Sequence, residues 1–343
     1  MSPPVVGVDL GGTKIAVARK DGRSLGDSDI QPTALESTEA LIEQLAEMVE
    51  ATRGEDLAAV GIGVPSVVEF DQGRVVSSVN IPLEDVPLRE VLGERLGLPV
   101  YVDNDATVAA LAEAHDEELQ LVAHDLVMIT VGTGVGGGLV LGGRIYRGAT
   151  GAAGELGHAI VGLDLEGAVP RPTRFPQAGS LEFVASGHAL DRLAGQAAGR
   201  HPESQLAERK REGQAVLGAD AVKAAQDGDL AAQRTVEIWG QRVGIGVANA
   251  INTFDPQEVV IGGGAAQAGD LLLEPVRRVA HDYVLPGLGG RTTIRLARHG
   301  VRAGVLGAAL LAEHEFHEGE GDSGSTASLE AGLRAREGGE VHS

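Results

Sequence analysis

Cysteine is absent from the 343-residue chain, which excludes disulfide bonds and any metal site built on thiolates. Aromatic residues make up only 3% of the chain, so a hydrophobic core has to be built from alanine, valine, leucine and isoleucine. No apolar run reaches the roughly 18 residues that a membrane-spanning helix needs. The N-terminal residues carry no basic stretch, so a secretory signal is not predicted and a cytoplasmic location is expected.

Basic residues are also scarce: 28 lysines and arginines stand against 49 aspartates and glutamates, which gives a formal net charge of −21. Nucleic acids and anionic membrane surfaces require a basic face, so neither is expected as a partner. A ligand that carries phosphate would gain nothing from this overall field. It would have to be held locally, by backbone N–H groups and a bridging cation.

The chain is rich in apolar residues, at 43%, and in glycine, at 50 residues. A buried strand predicted over Val5–Leu10 runs into a glycine turn, and the apolar pattern resumes over Ile15–Ala18. The same arrangement recurs in Leu126–Val131, the glycine-rich stretch Gly132–Gly138 and Leu139–Leu141. Two such units predict an internally duplicated α/β fold, for which 343 residues are long enough.

Hydrophobic periodicity predicts further elements, because helices repeat every 3.6 residues and strands alternate. The segment 317–343 has almost no apolar side chains, so it is predicted to be a disordered tail. The predicted helices are Glu36–Thr52, Ala106–Ala114 and Leu230–Phe254, and the predicted strands are Leu57–Val64, Pro99–Val102 and Glu258–Ile261.

The first glycine turn carries groups that suit phosphate. Gly11 and Gly12 let backbone N–H groups approach an anion without a Cβ atom in the way. Thr13 adds a hydroxyl donor, Lys14 adds a positive charge, and Asp9 at the strand end can hold Mg²⁺ through water. An ordinary hairpin turn explains the same glycines equally well, since short glycine motifs are common.

Two later glycine clusters extend this interpretation. Five glycines in the seven residues Gly132–Gly138 exceed what a hairpin turn needs, although a β-bulge or a close backbone crossing would also use them. Residues 262–264 would let a flat base or ribose lie against bare backbone, with a plain strand–helix connection as the alternative. The candidate nucleotide-binding residues of these clusters are Gly132, Thr133, Gly134, Gly136, Gly137, Gly263 and Gly264.

Polar residues near predicted strand ends supply candidate acid–base chemistry. Asn104 and Asp105 follow a strand and precede a helix, so Asp105 is either a helix N-cap or a carboxylate that accepts a proton from a substrate hydroxyl. Glu155 and His158 are three residues apart beside glycines, and Glu182 follows later. These three side chains can bind sugar hydroxyls, form a metal site, or have a purely structural role as hydrogen-bonded groups of the fold.

Taken in order, the motifs resemble the ROK family (repressors, open reading frames and kinases) from residue 5 to about residue 315. The resemblance implies an α/β, two-lobed, actin-like ATPase (ribonuclease H-like) fold that binds ATP and Mg²⁺, with the sugar in a cleft between the lobes. It makes Asp9–Lys14 the phosphate-1 loop, Gly132–Gly138 the phosphate-2 loop and Gly262–Gly264 the adenosine loop. The expected lobes are residues 1–105 with about 303–316, and residues 106–302.

The resemblance also implies phosphoryl transfer from ATP to a hexose, with glucose as the expected acceptor and Asp105 as the catalytic base. N-acetylhexosamines and fructose are alternative acceptors, and polyphosphate is an alternative donor. A sugar-binding protein with weak catalysis is a further alternative, and a homodimer is one expectation because the family often forms dimers. The sugar-binding residues that the resemblance implies are Asn80, Asn104, Asp105, Glu155, His158 and Glu182.

The chain departs from the family at a zinc site. Family members usually carry a Cys-x-Cys-x-x-x-x-Cys run ahead of the later sugar-binding glutamate, and the corresponding positions here are Thr173, Phe175 and Ser180. Without thiolates no tetrahedral zinc site is expected, so His158 would serve the sugar alone. A smaller departure is Ser66, where the family usually has glycine.

Because the chain has no cysteine, we predict that the purified protein holds far less than one zinc ion per chain. Elemental analysis after dialysis against zinc-free buffer measures this, with a family member that keeps the cysteines as the control. Zinc at one ion per chain in this protein would contradict the expectation.

Overall fold

The computed structural model describes residues 3–318 except 79, 164–168, 170 and 173. The chain divides into two compact units. Unit 1 comprises the residues up to Val108 and those from Gly304 onward, and unit 2 comprises Ala109–Ala303. Among the described residues, no helix is long and apolar enough to cross a membrane. Thr173, one of the positions that replace cysteine, lies outside the described residues.

The strands form two large sheets and one small sheet. The strands of unit 1 are β1 (Val5–Leu10), β2 (Lys14–Asp21), β3 (Ser24–Leu25), β4 (Asp29–Pro32), β5 (Ala59–Val64), β6 (Ser66–Glu69), β7 (Arg74–Ser78) and β8 (Val100–Asn104). Those of unit 2 are β9 (Leu126–Val131), β10 (Val135–Leu141), β11 (Arg144–Ile145), β12 (Glu258–Gly262) and β13 (Thr293–Leu296).

The helices cover the remaining regular structure of the described residues. The α-helices are α1 (Thr38–Thr52), α2 (Leu88–Leu96), α3 (Asp105–Glu113), α4 (Leu181–Ala185), α5 (Gly187–Arg200), α6 (Gln205–Arg211), α7 (Gly218–Gln226), α8 (Leu230–Phe254), α9 (Asp270–Tyr283) and α10 (303–318). Short 3₁₀ helices occupy Leu156–His158, Gly264–Ala268 and Gly300–Arg302.

Both large sheets have the same order of strands. In unit 1 the order is β3-β2-β1-β5-β8, with β4 also paired to β2, and in unit 2 it is β11-β10-β9-β12-β13. Each sheet joins an antiparallel hairpin, β1–β2 or β9–β10, to two further strands that run parallel to the first strand of the hairpin. The internal duplication predicted from the repeated strand–turn–strand pattern is therefore confirmed.

Helix α10 packs directly on the sheet of unit 1 at two strand glycines. Gly7 on β1 and Gly61 on β5 are partners in the parallel register. A Cβ atom at Gly7 would lie 2.1 Å from the carbonyl oxygen of Val305, and one at Gly61 would lie 1.8 Å from that of Ala308. Larger residues would therefore push the helix off the sheet.

The tail was predicted to begin at about residue 317, and α10 runs through residue 318. Phe316 packs against the buried cluster that includes Val5 and Ala59, so the last turns of α10 have an apolar contact. The rest of the predicted tail lies outside the described residues.

A buried carboxylate fastens the end of α3 to the segment that precedes α10. Glu113 is fully buried and accepts a hydrogen bond from Arg295 Nη1 at 2.6 Å. It also accepts from the backbone N–H groups of Arg298 at 3.0 Å and His299 at 2.9 Å. Both arginines pair in addition with Glu258 on β12. The carboxylate thus links two segments that are distant in the chain.

We predict that Glu113→Ala lowers the free energy of unfolding by about 3 kcal/mol, because it leaves a half-buried guanidinium and two N–H groups without this acceptor. Urea unfolding followed by circular dichroism measures the change. Glu117→Ala, at an exposed position shortly after the same helix, is the matched control and should stay within about 0.5 kcal/mol of the parent. Equal unfolding midpoints for the two variants would contradict the role of Glu113.

Candidate functional site

The turn between β1 and β2 keeps backbone donors available. The N–H group of Gly11 donates to the carbonyl of Lys14 at 3.0 Å, and the carbonyl of Gly11 accepts from the hydroxyl of Thr33 at 2.7 Å. The N–H groups of Gly12 and Thr13 donate to no acceptor in the described part of the chain. The side chains of Thr13 and Lys14 are exposed. The turn therefore offers N–H groups, a hydroxyl and a positive charge to an anion.

Asp9 lies next to this turn, against the first residues of α10. A Cβ atom at Gly304 would lie 2.5 Å from the carboxyl carbon of Asp9, so glycine at this position makes room for the carboxylate. Burial raises the pKa of Asp9, and the charge of Lys14 partly lowers it. A carboxylate beside available N–H donors has the oxygen atoms that a hydrated Mg²⁺ prefers as ligands. The described residues contain no group of three or more His, Cys, Asp or Glu side chains that could hold a metal.

Asn104, rather than Asp105, caps helix α3. Asn104 Oδ1 accepts from the N–H groups of Ala106 at 2.9 Å and Thr107 at 3.2 Å, and its Nδ2 donates to the carbonyl of Ser66 at 3.2 Å. Asp105 is the first residue of the helix, so its interpretation as an N-cap is wrong. The helix dipole stabilises a negative charge at this position. The contact to Ser66 uses only its backbone, so serine in place of glycine leaves it intact.

Asn80 lies beside the first glycine turn. A Cβ atom at Gly12 would lie 3.0 Å from the Cβ of Asn80, which is closer than most side chains pack. The side chain of Asn80 is exposed. A candidate sugar-binding amide and a candidate phosphate-binding turn are therefore neighbours within unit 1.

The turn between β9 and β10 is shorter than predicted. β10 begins at Val135, so Gly136 and Gly137 are paired in the sheet with Thr130 and Ile129 of β9. A Cβ atom at Gly137 would lie 2.4 Å from a backbone carbonyl oxygen of a neighbouring loop, so this glycine permits close packing. The predicted loop over Gly132–Gly138 is thus wrong in its second half, and the turn comprises Gly132–Gly134.

Residues at the start of α4 and of α5 hold both ends of this second turn. The carbonyl of Gly132 accepts from the N–H group of Gly187 at 2.7 Å. The N–H group of Val135 donates to Glu182 Oε2 at 2.8 Å. Thr133 and Gly134, which lie between Gly132 and Val135, donate their N–H groups to no acceptor that the structure describes. As in the first turn, the carbonyl of the first glycine is occupied and the following N–H groups remain available.

A cavity of about 580 Å³ in unit 2 brings the second turn and the third glycine cluster together. Its lining includes Gly132 and Thr133 from the turn and Gly264 from the 3₁₀ helix after β12. Gly263, which precedes it, has a φ of +76°, and a Cβ atom there would lie 2.6 Å from the carbonyl oxygen of Val131. The volume is typical of small-molecule sites.

Two helices that sequence reasoning did not assign to the site also line the cavity. Apolar periodicity marks the buried face of α5 and of α7, but it gives no sign that the two helices border one cavity. The lining residues on these helices are Gly187, Leu190, Asp191, Gly218, Ala219, Val222, Lys223 and Gln226.

Glu155 and His158 lie at the start and at the end of the 3₁₀ helix Leu156–His158 in unit 2. His158 Nε2 is 3.7 Å from Glu155 Oε2, and both side chains are exposed. The ring of Phe175, at one of the positions where the family has cysteine, meets the His158 ring edge-on with centroids 5.5 Å apart. The N–H group of Val161 donates to the carbonyl of Gly179 at 2.8 Å. A ring contact thus joins His158 to Phe175, and a backbone hydrogen bond joins Val161 to Gly179.

We predict that Asp9→Asn stabilises the ligand-free protein near neutral pH. Burial raises the folded-state pKa of Asp9, so the ionised carboxylate costs stability, and this cost appears as the pH rises through the folded-state pKa. The variant should therefore unfold at a higher temperature than the parent at about pH 7, with a gap that narrows toward about pH 4, near the ordinary pKa of aspartate. Thermal unfolding at both pH values measures the gap.

The matched control is Asp27→Asn, at an exposed position, which should leave the unfolding temperature unchanged at both pH values. An Asp9→Asn variant that unfolds at a lower temperature than the parent near neutral pH would show that the carboxylate stabilises the fold instead.

The chain is similar in sequence and in fold to known proteins. Residues 5–315 match the ROK family. The chain is 36% identical over 323 residues to a glucokinase from Halalkalibacterium halodurans, a match that covers 90% of this chain and 95% of that protein. The crystal structure of a ROK family glucokinase from Streptomyces griseus, in complex with glucose and AMPPNP, is 32% identical with a TM-score of 0.71 and covers 91% of this chain and 99% of that one.

A ROK hexokinase from Thermus thermophilus is 37% identical, also with a TM-score of 0.71, over 91% of this chain and 99% of that one. These structural likenesses confirm the predicted actin-like α/β fold. Both the family match and the identities extend over nearly the whole length of the chain. The chain therefore belongs to the ROK family.

Proposed function

We propose that this protein transfers the γ-phosphoryl group of ATP to the 6-hydroxyl of a hexose, with glucose as its acceptor. The observation that carries the proposal is the pair of glycine turns, in which the first carbonyl is bound elsewhere and the following N–H groups remain available to phosphate oxygens. The similarity to glucokinases over about nine-tenths of the chain supports the same reaction.

Asp105 takes the proton of the attacking hydroxyl as that oxygen approaches the γ-phosphorus in line. The N–H groups of the two turns and the ammonium group of Lys14 stabilise the charge on the transferred phosphoryl group. Mg²⁺, when bound, supplies further charge neutralisation on the triphosphate, and Asp9 would hold it through water. The half-buried position of Asp9 and the space that Gly304 leaves for its carboxylate support this assignment.

The proposed ligands of the sugar hydroxyls are amide, carboxylate and imidazole side chains, which are those of Asn80, Asn104, Glu155, His158 and Glu182. The adenosine part of ATP occupies the cavity that Gly264 helps to line. This cavity favours a nucleotide over polyphosphate as the donor, because its volume suits an adenosine group, which a polyphosphate chain does not have.

We predict that Asp105→Asn lowers kcat by about 10²-fold or more and leaves glucose binding largely unchanged, because the amide cannot accept the proton. A coupled assay of ADP release gives kcat, and calorimetry gives the affinity for glucose. Asp71→Asn, at an exposed position, is the control and should keep the parent rate. Turnover of Asp105→Asn near the parent rate would remove Asp105 from the mechanism.

A panel of donors and acceptors tests the identity of the substrates. The acceptors are glucose, N-acetylglucosamine, N-acetylmannosamine and fructose, each with ATP or polyphosphate. Glucose with ATP should give the highest kcat/KM. A higher value for another sugar would reassign the acceptor, and sugar binding without ADP release would contradict the proposed catalysis.

A further inference from the structure

The carboxylate of Glu182 lies directly against the second glycine turn. Its Oε2 accepts from the N–H group of Val135 at 2.8 Å. A Cβ atom at Gly134 would lie 2.5 Å from the same oxygen. The carboxylate therefore fills the space beside the turn that a side chain at position 134 would need. Position 134 must therefore be glycine to leave room for the carboxylate of Glu182, whether or not a ligand is bound.

The short helix that carries Glu182 is anchored at both ends. The Ser180 hydroxyl caps its first turn. At the other end, the carbonyl of Ala185 accepts from the buried indole N–H of Trp239 at 2.7 Å, and the carbonyl of Val184 accepts from Arg242 Nη1 at 3.2 Å. These bonds oppose any rotation of the helix, so Glu182 is held in a defined place relative to the turn.

The other end of the turn is fixed by the same stretch of chain. The N–H group of Gly187 donates to the carbonyl of Gly132 at 2.7 Å, and a Cβ atom at Gly187 would lie 2.6 Å from that oxygen. The segment 182–187 therefore hydrogen-bonds to Gly132, the first residue of the turn, and to Val135, the residue directly after the turn. The shape of the turn depends on this segment.

We propose that Glu182 is a positioning residue that couples the two substrates. One carboxylate oxygen holds the N–H group of Val135, which keeps the turn in the shape that binds phosphate. The other oxygen accepts from a sugar hydroxyl, and this second bond restrains the carboxylate and strengthens its hold on the turn. The inference rests on the proposed function and adds that bound sugar tightens nucleotide binding, and by linkage the reverse.

The test measures the affinity for AMPPNP with Mg²⁺ by calorimetry, in the absence of sugar and then at saturating glucose. Without sugar, Glu182→Ala should bind AMPPNP about 10-fold more weakly than the parent, because it loses a charge-assisted hydrogen bond to the turn. Glu182→Gln keeps an oxygen for the N–H group of Val135, so it should recover most of this affinity. A residue that bound only sugar would change neither value.

Glu155→Ala is the matched control, because Glu155 is a candidate sugar ligand whose side chain pairs with His158 and makes no bond to the turn in the described residues. It should bind AMPPNP without sugar like the parent. Saturating glucose should tighten AMPPNP binding several-fold in the parent and should have no such effect in Glu182→Ala. Unfolding temperatures identify variants that fail to fold, and Glu182→Asp, too short to reach Val135, then replaces Glu182→Ala.

Two results separate this inference from the proposed function. A parent protein that releases ADP with glucose, together with a Glu182→Ala variant that binds AMPPNP normally without sugar, would overturn the coupling and leave the kinase intact. A parent that neither binds AMPPNP nor releases ADP would overturn both.

Discussion

In each glycine turn, a hydrogen bond to one backbone carbonyl oxygen determines which kind of ligand the turn can bind. A carbonyl oxygen directed at an anion repels it, whereas an N–H group attracts it. The carbonyl of Gly11 is occupied by the Thr33 hydroxyl and that of Gly132 by the N–H group of Gly187, so the following N–H groups remain as donors. Under the proposed function, these local donors would attract the triphosphate of ATP despite the net charge of −21.

The abundance of glycine serves a second purpose in the same sheets. Gly7 and Gly61 let α10 rest on the strands of unit 1, and Gly304 leaves space for the carboxylate of Asp9. Gly137 allows a loop to approach β10. Close packing and ligand binding thus both require residues without a Cβ atom. For this reason a glycine motif alone does not distinguish the two uses.

The duplicated sheet and the place of each glycine turn could be predicted, because apolar runs interrupted by glycine leave a strong local pattern. The N-cap of α3 could not, since Asn104 and Asp105 are adjacent and both residue types cap helices well. The end of the second turn was also missed, because paired glycines in β10 look like loop glycines. The bond between Glu182 and Val135 joins residues 47 positions apart, and no periodicity signals it.

A crystal structure with AMPPNP, Mg²⁺ and glucose tests the central claim most directly. The account predicts that backbone N–H groups of Gly12 or Thr13, and of Thr133 or Gly134, lie within about 3.2 Å of phosphate oxygens. Phosphates bound by side chains alone, with every one of these N–H groups more than about 4 Å away, would contradict it.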